Sequence, residues 1–152
     1  MNSKPLFAAL SVLIFASVSA RGAESNNTVL LNTLGYTTGQ SILLTHMAVG
    51  TLGDAFVGKA YKADKANTVL DTYINVTKGM KDQMKKLADA NTLDKDDAQF
   101  VQKCSSVLDL VLKESQDLKK FFDSGKNEDA KAYDSSRTEA VKEIKTLLGV
   151  KD

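Results

Sequence analysis

Apolar residues recur at alternating spacings of three and four through most of this chain, which is the spacing of one face of an α-helix. No segment alternates apolar and polar residues with a period of two, and no proline follows Pro5. Because half-buried strands need that alternation and proline interrupts helices, the sequence predicts an all-α fold. The repeat is strictest in the set Val101, Cys104, Leu108, Val111, Ser115, Leu118 and Phe122.

The periodic segments predict helices at about 34–61, 64–90, 94–123 and 127–149, separated by short polar connections. Gly125 and Gly149 follow the last apolar positions of two segments, where glycine commonly ends a helix. Short connections between long helices make successive helices antiparallel neighbours. We therefore predict an antiparallel up-down-up-down four-helix bundle over residues 34–152. The charged residues of its last three helices are interpreted as solvated faces.

Residues 1–20 have the features of a cleaved signal peptide. Lys4 precedes an apolar run over residues 6–18, and the small residues Val18 and Ala20 predict cleavage after Ala20. The run is shorter than the roughly 20 residues of a transmembrane helix. We therefore expect an exported protein, periplasmic or secreted, with no transmembrane segment in the mature chain. Residues 21–33 are expected to form a polar N-terminal arm.

Charge and cysteine content exclude several classes of function. The predicted mature chain has 19 basic residues, because Lys4 is the only one lost, against 19 acidic residues. A neutral chain without a basic cluster does not favour nucleic acid as a partner. Cys104 is the single cysteine, so no internal disulfide can form. Asn26 and Asn75 begin glycosylation triplets, which matter only in a eukaryotic source.

His46 is the most distinctive candidate for chemistry in a chain with one histidine, no Gly-rich phosphate loop and no serine elbow. We predict no enzyme and no cofactor. The simplest interpretation of His46 is a buried neutral imidazole bonded to a hydroxyl or a backbone carbonyl. The alternative is a metal or haem site, because Met80 and Cys104 fall at similar depths in the predicted bundle and Met47 is adjacent. Cys104 otherwise fits an inert buried side chain.

Asp54 and Arg137 are predicted to form a structural pair. Asp54 is the only acid of the first predicted helix, and Arg137 is the only arginine after Arg21. The first and fourth helices are neighbours in an antiparallel bundle, and both residues lie about 10–15 Å from the same end. Such a pair fixes helix register more than it adds stability. The competing interpretation is two separately solvated side chains.

The first helix has two unusual faces, because no charged residue lies between Glu24 and Asp54. Four glycines share the side of His46, which predicts close helix packing there or room for a ligand: Gly35, Gly39, Gly50 and Gly53. The opposite arc is small, apolar and uncharged, whereas exposed helix faces normally carry charge. It comprises Thr37, Ser41, Leu44, Ala48, Thr51 and Ala55.

Two interpretations explain the uncharged arc. Either the 21–33 arm covers it, or it binds another molecule, as a homodimer contact or a surface for a different protein. The sequence therefore favours an exported, non-enzymatic binding or structural module that acts through its first helix. A periplasmic metal- or haem-binding bundle that uses His46 with methionine or cysteine ligands is the alternative.

Overall fold

A computed structural model describes residues 26–150 of this chain, with side chains from Thr28 onward. These residues form four helices and no strand: α1 (Asn26–Val57), α2 (Ala63–Asp89), α3 (Lys95–Ser124) and α4 (Asn127–Leu148). The helices pack as a four-helix bundle, which confirms the predicted fold class. The predicted signal peptide, residues 1–20, and the first part of the predicted arm, residues 21–25, lie outside the described residues.

The bounds of α1 differ from the sequence prediction at both ends. Residues 26–33 continue the helix instead of forming a separate arm, because Leu31 and Leu34 extend the helical apolar spacing and line a small cavity with Phe100. At the other end, Lys59 has a left-handed φ of 61°, and the Ala60 amide donates to the Ala55 carbonyl at 2.8 Å. These are features of a Schellman stop, so α1 ends at Val57 rather than near residue 61.

The ends of α3 and α4 follow from local backbone chemistry. The Asp94 side chain accepts the backbone amides of Asp96 and Asp97, both at 2.9 Å, and so caps the start of α3. Gly125 and Gly149 take left-handed φ values of 64° and 67° at the ends of α3 and α4. Glycine adopts this conformation without steric cost, which explains its presence at both stops.

Of the two pairs of helices that face each other across the bundle, α1 and α3 lie closer together than α2 and α4. α3 contacts α1, α2 and α4, whereas α2 and α4 do not contact each other. A Cβ atom on Gly35 would lie 3.3 Å from the Phe100 side chain of α3, and one on Gly39 would lie 2.7 Å from the Leu148 side chain of α4. Glycine therefore allows α1 to approach both helices closely, as the sequence predicts for its glycine side.

Two buried apolar clusters fill the bundle, one on each side of its middle. The first includes Val49 of α1 and Leu118 of α3, and the second includes Ile42 and Val111 of the same helices.

None of the four described helices contains an apolar stretch long enough to cross a membrane.

Candidate functional site

A layer of buried polar side chains separates the two apolar clusters. On each helix, its members lie in sequence between a residue of one cluster and a residue of the other. All four helices contribute, and the buried polar members are His46 of α1, Thr77 of α2, Glu114 and Ser115 of α3, and Ser136 of α4. We call this set the polar layer.

His46 and Glu114 form the centre of the polar layer. His46 Nδ1 and Glu114 Oε2 are 2.7 Å apart, and the Glu114 side chain is completely buried. With Glu114 ionised, Nδ1 is the donor of this hydrogen bond. The predicted core position of His46 is what the structure shows, but its partner is a carboxylate rather than a hydroxyl or backbone carbonyl. Burying a carboxylate costs free energy unless hydrogen-bond donors or positive charge stabilise it, so the fold depends on this pair.

Glu114 is the functional residue that the sequence interpretation missed. Its charge suggested a solvated position, although it occupies the vacant place in a seven-residue series with Phe100, Val107 and Phe121. A heptad position among apolar residues points inward, whatever the side chain there. The heptad was therefore the signal that could have identified Glu114.

The small hydroxyls of the polar layer are satisfied within their own helices. Thr77 Oγ1 donates to the Tyr73 carbonyl at 2.7 Å, and Ser115 Oγ donates to the Val111 carbonyl at 2.8 Å. Ser136 Oγ likewise donates to a carbonyl of α4, at 3.0 Å. These residues therefore leave the carboxylate of Glu114 to be compensated by His46 and by charge from α4. The second carboxylate oxygen, Oε1, has no hydrogen-bond partner among the described residues.

Arg137 supplies positive charge from α4, and a glycine makes room for it. A Cβ atom on Gly50 would lie 2.7 Å from Arg137 Nη2. Arg137 Nη1 lies 3.4 Å from Asp54 Oδ1, so the structure brings the predicted pair together. Asp54 remains exposed, and a long contact of this kind at the surface contributes at most about 1 kcal/mol. Burial opposes the charged form of Arg137, but Tyr133, Asp54 and Glu114 together outweigh it and raise the pKa of the guanidinium.

Tyr133 lies beside the Arg137 guanidinium, and a second glycine of α1 leaves room for its hydroxyl. A Cβ atom on Gly53 would lie 2.8 Å from the Tyr133 hydroxyl. Burial raises the pKa of this phenol; Arg137 lowers it, and the neighbouring carboxylates, Glu114 among them, raise it further. Tyr133 therefore stays neutral, and its hydroxyl has no hydrogen-bond partner among the described residues.

The residues of the alternative metal site do not surround His46. Cys104 and Met80 belong to one apolar cluster, whereas His46 is bonded to Glu114 in the polar layer. Burial raises the pKa of the Cys104 thiol to about 11, which disfavours the thiolate that binds metals. Within residues 26–150, no three side chains of histidine, cysteine, aspartate or glutamate come together as a metal site. Met47, the remaining candidate ligand, points to the surface.

An open groove of about 620 Å³ runs between α3 and α4 on a different part of the surface. Its lining combines Phe100, Leu110 and Leu147 with the charged side chains of Lys103 and Glu143. Neither His46 nor Glu114 lines it. The groove is therefore separate from the polar layer.

The outward side of α1 is apolar and unpartnered among the described residues. Leu30 is 65% exposed, Leu44 is 62% exposed and Met47 is 51% exposed. Of the predicted arc, Thr37, Leu44 and Thr51 are exposed, while Ser41, Ala48 and Ala55 are partly buried. We call the following residues the α1 outer face: Leu30, Leu34, Thr37, Ser41, Leu44, Ala48, Thr51 and Ala55. Residues 26–33 do not fold back over this face, because they are part of α1 itself.

The hydroxyls of α1 bond back to its own carbonyls and so leave few polar groups free. Thr37 Oγ1 donates to the Thr33 carbonyl and Ser41 Oγ donates to the Thr37 carbonyl, both at 2.8 Å. Thr51 Oγ1 donates to the Met47 carbonyl at 2.9 Å. A hydroxyl with an internal acceptor loses less when it leaves water than an unpaired one does. The α1 outer face is therefore easier to dehydrate than its threonine content suggests.

No protein-family model, no curated protein and no solved structure matches this chain.

Proposed function

We propose that this chain is an exported, non-enzymatic helical-bundle protein that binds a partner protein through the α1 outer face. The single observation that carries the proposal is a long exposed helix face that combines large apolar side chains with no charge. Exposed helix faces of monomeric proteins normally carry charged residues, and contiguous apolar patches mark interaction sites.

The chemistry of the face supports a protein partner. Leu30 and Leu44 are each more than half exposed, so covering them contributes roughly 1–2 kcal/mol apiece. The back-bonded hydroxyls between them reduce the cost of dehydration. A partner helix with an apolar stripe fits such a surface, because helices recognise one another through residues spaced three and four apart.

The polar layer has a structural role in this proposal. It fixes the register of α1 against α3 and α4, because the His46–Glu114 contact and the Arg137 position each require one alignment of the helices. A fixed register presents the residues of the outer face at constant positions, which a specific interface requires.

The test is photo-crosslinking inside the export compartment, with a benzophenone amino acid at position 44. Val76 is the matched control position, because it is an apolar residue in the middle of α2 with 52% exposure, against 62% for Leu44. We expect a crosslinked product of defined mass from position 44 and none from position 76. Equal or absent crosslinking at the two positions would refute the proposal.

A further inference from the structure

We propose that the partner of the α1 outer face is a second copy of this chain, paired antiparallel about a two-fold axis beside Ser41 and Ile42. This inference rests on the proposed function, since it names the molecule that the face binds. It makes the protein a symmetric homodimer in which the two α1 helices lie side by side and the other helices point away.

Charge is the first argument for a second copy. The α1 outer face carries no charged residue, so two identical faces meet without the repulsion that usually opposes self-association. The same absence of charge gives a basic or acidic partner nothing to pair with. The nearest charged side chain of α1, Asp54, lies at the margin of the face and is already held by Arg137.

The order of large and small residues is the second argument. An axis midway between Ser41 and Ile42 places Leu44 of one copy between Thr37 and Ser41 of the other. The same axis places Leu30 between Thr51 and Ala55. Leu30 and Leu44, the two most exposed leucines of the face, therefore project between small residues, as knobs do between antiparallel helices.

The edge of the face agrees with the same axis. Tyr36 and Met47 are exposed on one edge of α1 and are equally distant from the axis, on opposite sides of it. A two-fold axis of this kind brings Tyr36 of each copy beside Met47 of the other. Contacts between a methionine sulfur and an aromatic ring contribute about 0.3–1.5 kcal/mol.

Neighbouring registers lack this match. An axis one turn later, beside Thr45, brings Leu44 against its own copy. An axis one turn earlier, beside Thr37, brings Leu30 of one copy against Leu44 of the other. Either alternative places large side chains on one another and leaves the small residues facing each other across a gap, which lowers the packing density.

The size of the face is sufficient for a reversible dimer. A helix from residue 30 to residue 55 is about 38 Å long and about 10 Å wide, so each copy offers roughly 400 Å² in flat projection. Interdigitated side chains bury more area than the projection, which brings the total near the lower limit of specific interfaces, about 1,200 Å². We therefore expect a dimer that dissociates on dilution.

Sedimentation velocity and light scattering of the mature chain over a range of concentrations test the proposal. We expect a dimer at high concentration and a monomer after dilution. Leu44→Glu should weaken dimerisation by about 100-fold, because the symmetry places two buried charges in the interface. Val76→Glu, the same change on exposed α2, should leave it unchanged. If Leu44→Glu lowers the helical content, the exposed Thr51→Glu serves as a second variant with the same expected direction.

Engineered disulfides test the axis itself. Ser41→Cys should form a disulfide between copies under mild oxidation, because the two positions lie side by side at the axis. Thr51→Cys should not, because its two copies are about 28 Å apart along the helices. The native Cys104 is buried and serves as an internal negative control.

Each outcome supports or overturns the inference. A chain that stays monomeric at all concentrations overturns it. If that monomer still crosslinks to another protein from position 44, the proposed function stands and only the identity of the partner is wrong. If it gives no crosslink from that position, both fail. A disulfide from Thr51→Cys places the two copies of that residue side by side and overturns the axis beside Ser41 and Ile42.

Discussion

Replacing His46 alone should destabilise the bundle more than replacing His46 and Glu114 together. In His46→Leu, the carboxylate of Glu114 stays completely buried and loses the only hydrogen bond that its two oxygens make among the described residues. Breaking a buried pair in this way typically costs about 3–5 kcal/mol. The structure describes about 125 residues, for which the entropy of unfolding is roughly 0.26 kcal/mol/K. We therefore expect the midpoint of thermal unfolding to fall by about 12–19 °C.

The double variant His46→Leu/Glu114→Met removes the carboxylate as well as its partner. Replacing a buried ion pair with apolar residues of similar volume is often neutral or stabilising, so we expect a free energy of unfolding within about 1 kcal/mol of the unchanged protein. Urea unfolding of the unchanged protein, the two single variants His46→Leu and Glu114→Met, and the double variant, followed by circular dichroism, gives the coupling energy. The exposed Lys81–Asp109 pair is the control cycle, with an expected coupling below about 1 kcal/mol. Additive effects of the His46 and Glu114 replacements would refute the assignment of the polar layer.

Three further predictions concern glycine, helix ends and pH. Gly79→Ala should stabilise α2 by up to about 1 kcal/mol, because nothing lies within 4 Å of the new Cβ atom. Gly50→Ala should give no such gain, because its new Cβ atom displaces the Arg137 guanidinium. Equal urea midpoints for the two variants would contradict this prediction. Lys59→Gly should raise the free energy of unfolding by about 1 kcal/mol, because glycine adopts the left-handed φ of this position without strain. Asn91→Gly should raise it by less, since asparagine tolerates that conformation, and chemical denaturation measures both changes. Burial raises the pKa of the Cys104 thiol from 9.0 to about 11, so between these pH values the thiol ionises in the unfolded chain but not in the folded one. The free energy of unfolding should therefore decline between about pH 9 and pH 11. Cys104→Ser should lack that part of the decline in a pH series of urea unfolding curves.

Periodicity was sufficient to predict the fold, because the apolar spacing of α2, α3 and α4 indicates which side of each helix faces the core. The helix order and antiparallel connections followed from the short links between them. The start of α1 was misassigned because residues 26–33 are polar enough to resemble a lead-in segment. Leu31 and Leu34 nevertheless continue the helical spacing, and packing near Phe100 decides the conformation there.

The candidate site was only half predictable from the residues. His46 and the glycine side of α1 were identified because each departs from its surroundings in composition. Glu114 was missed because a single charge in a chain rich in charged residues carries no signal by itself. Asp117, a second buried acid of α3 that is not a member of the polar layer, was missed for the same reason. Burial raises its pKa, but hydrogen bonds from Lys113 and Lys120 outweigh burial and lower it. The heptad position was the signal available for Glu114, whereas the burial of Asp117 is visible only in the tertiary contacts.

The glycines of α1 make that helix dependent on the rest of the molecule. Each interior glycine costs up to about 1 kcal/mol of intrinsic helix stability, so Gly35, Gly39, Gly50 and Gly53 together cost up to about 4 kcal/mol. An isolated α1 peptide should therefore be mostly unstructured, and its helix in the bundle is maintained by docking. Hydrogen exchange along α1 should then proceed by release of the helix as a unit. A change that destabilises the polar layer beneath α1 would therefore unfold α1 and remove the outer face with it.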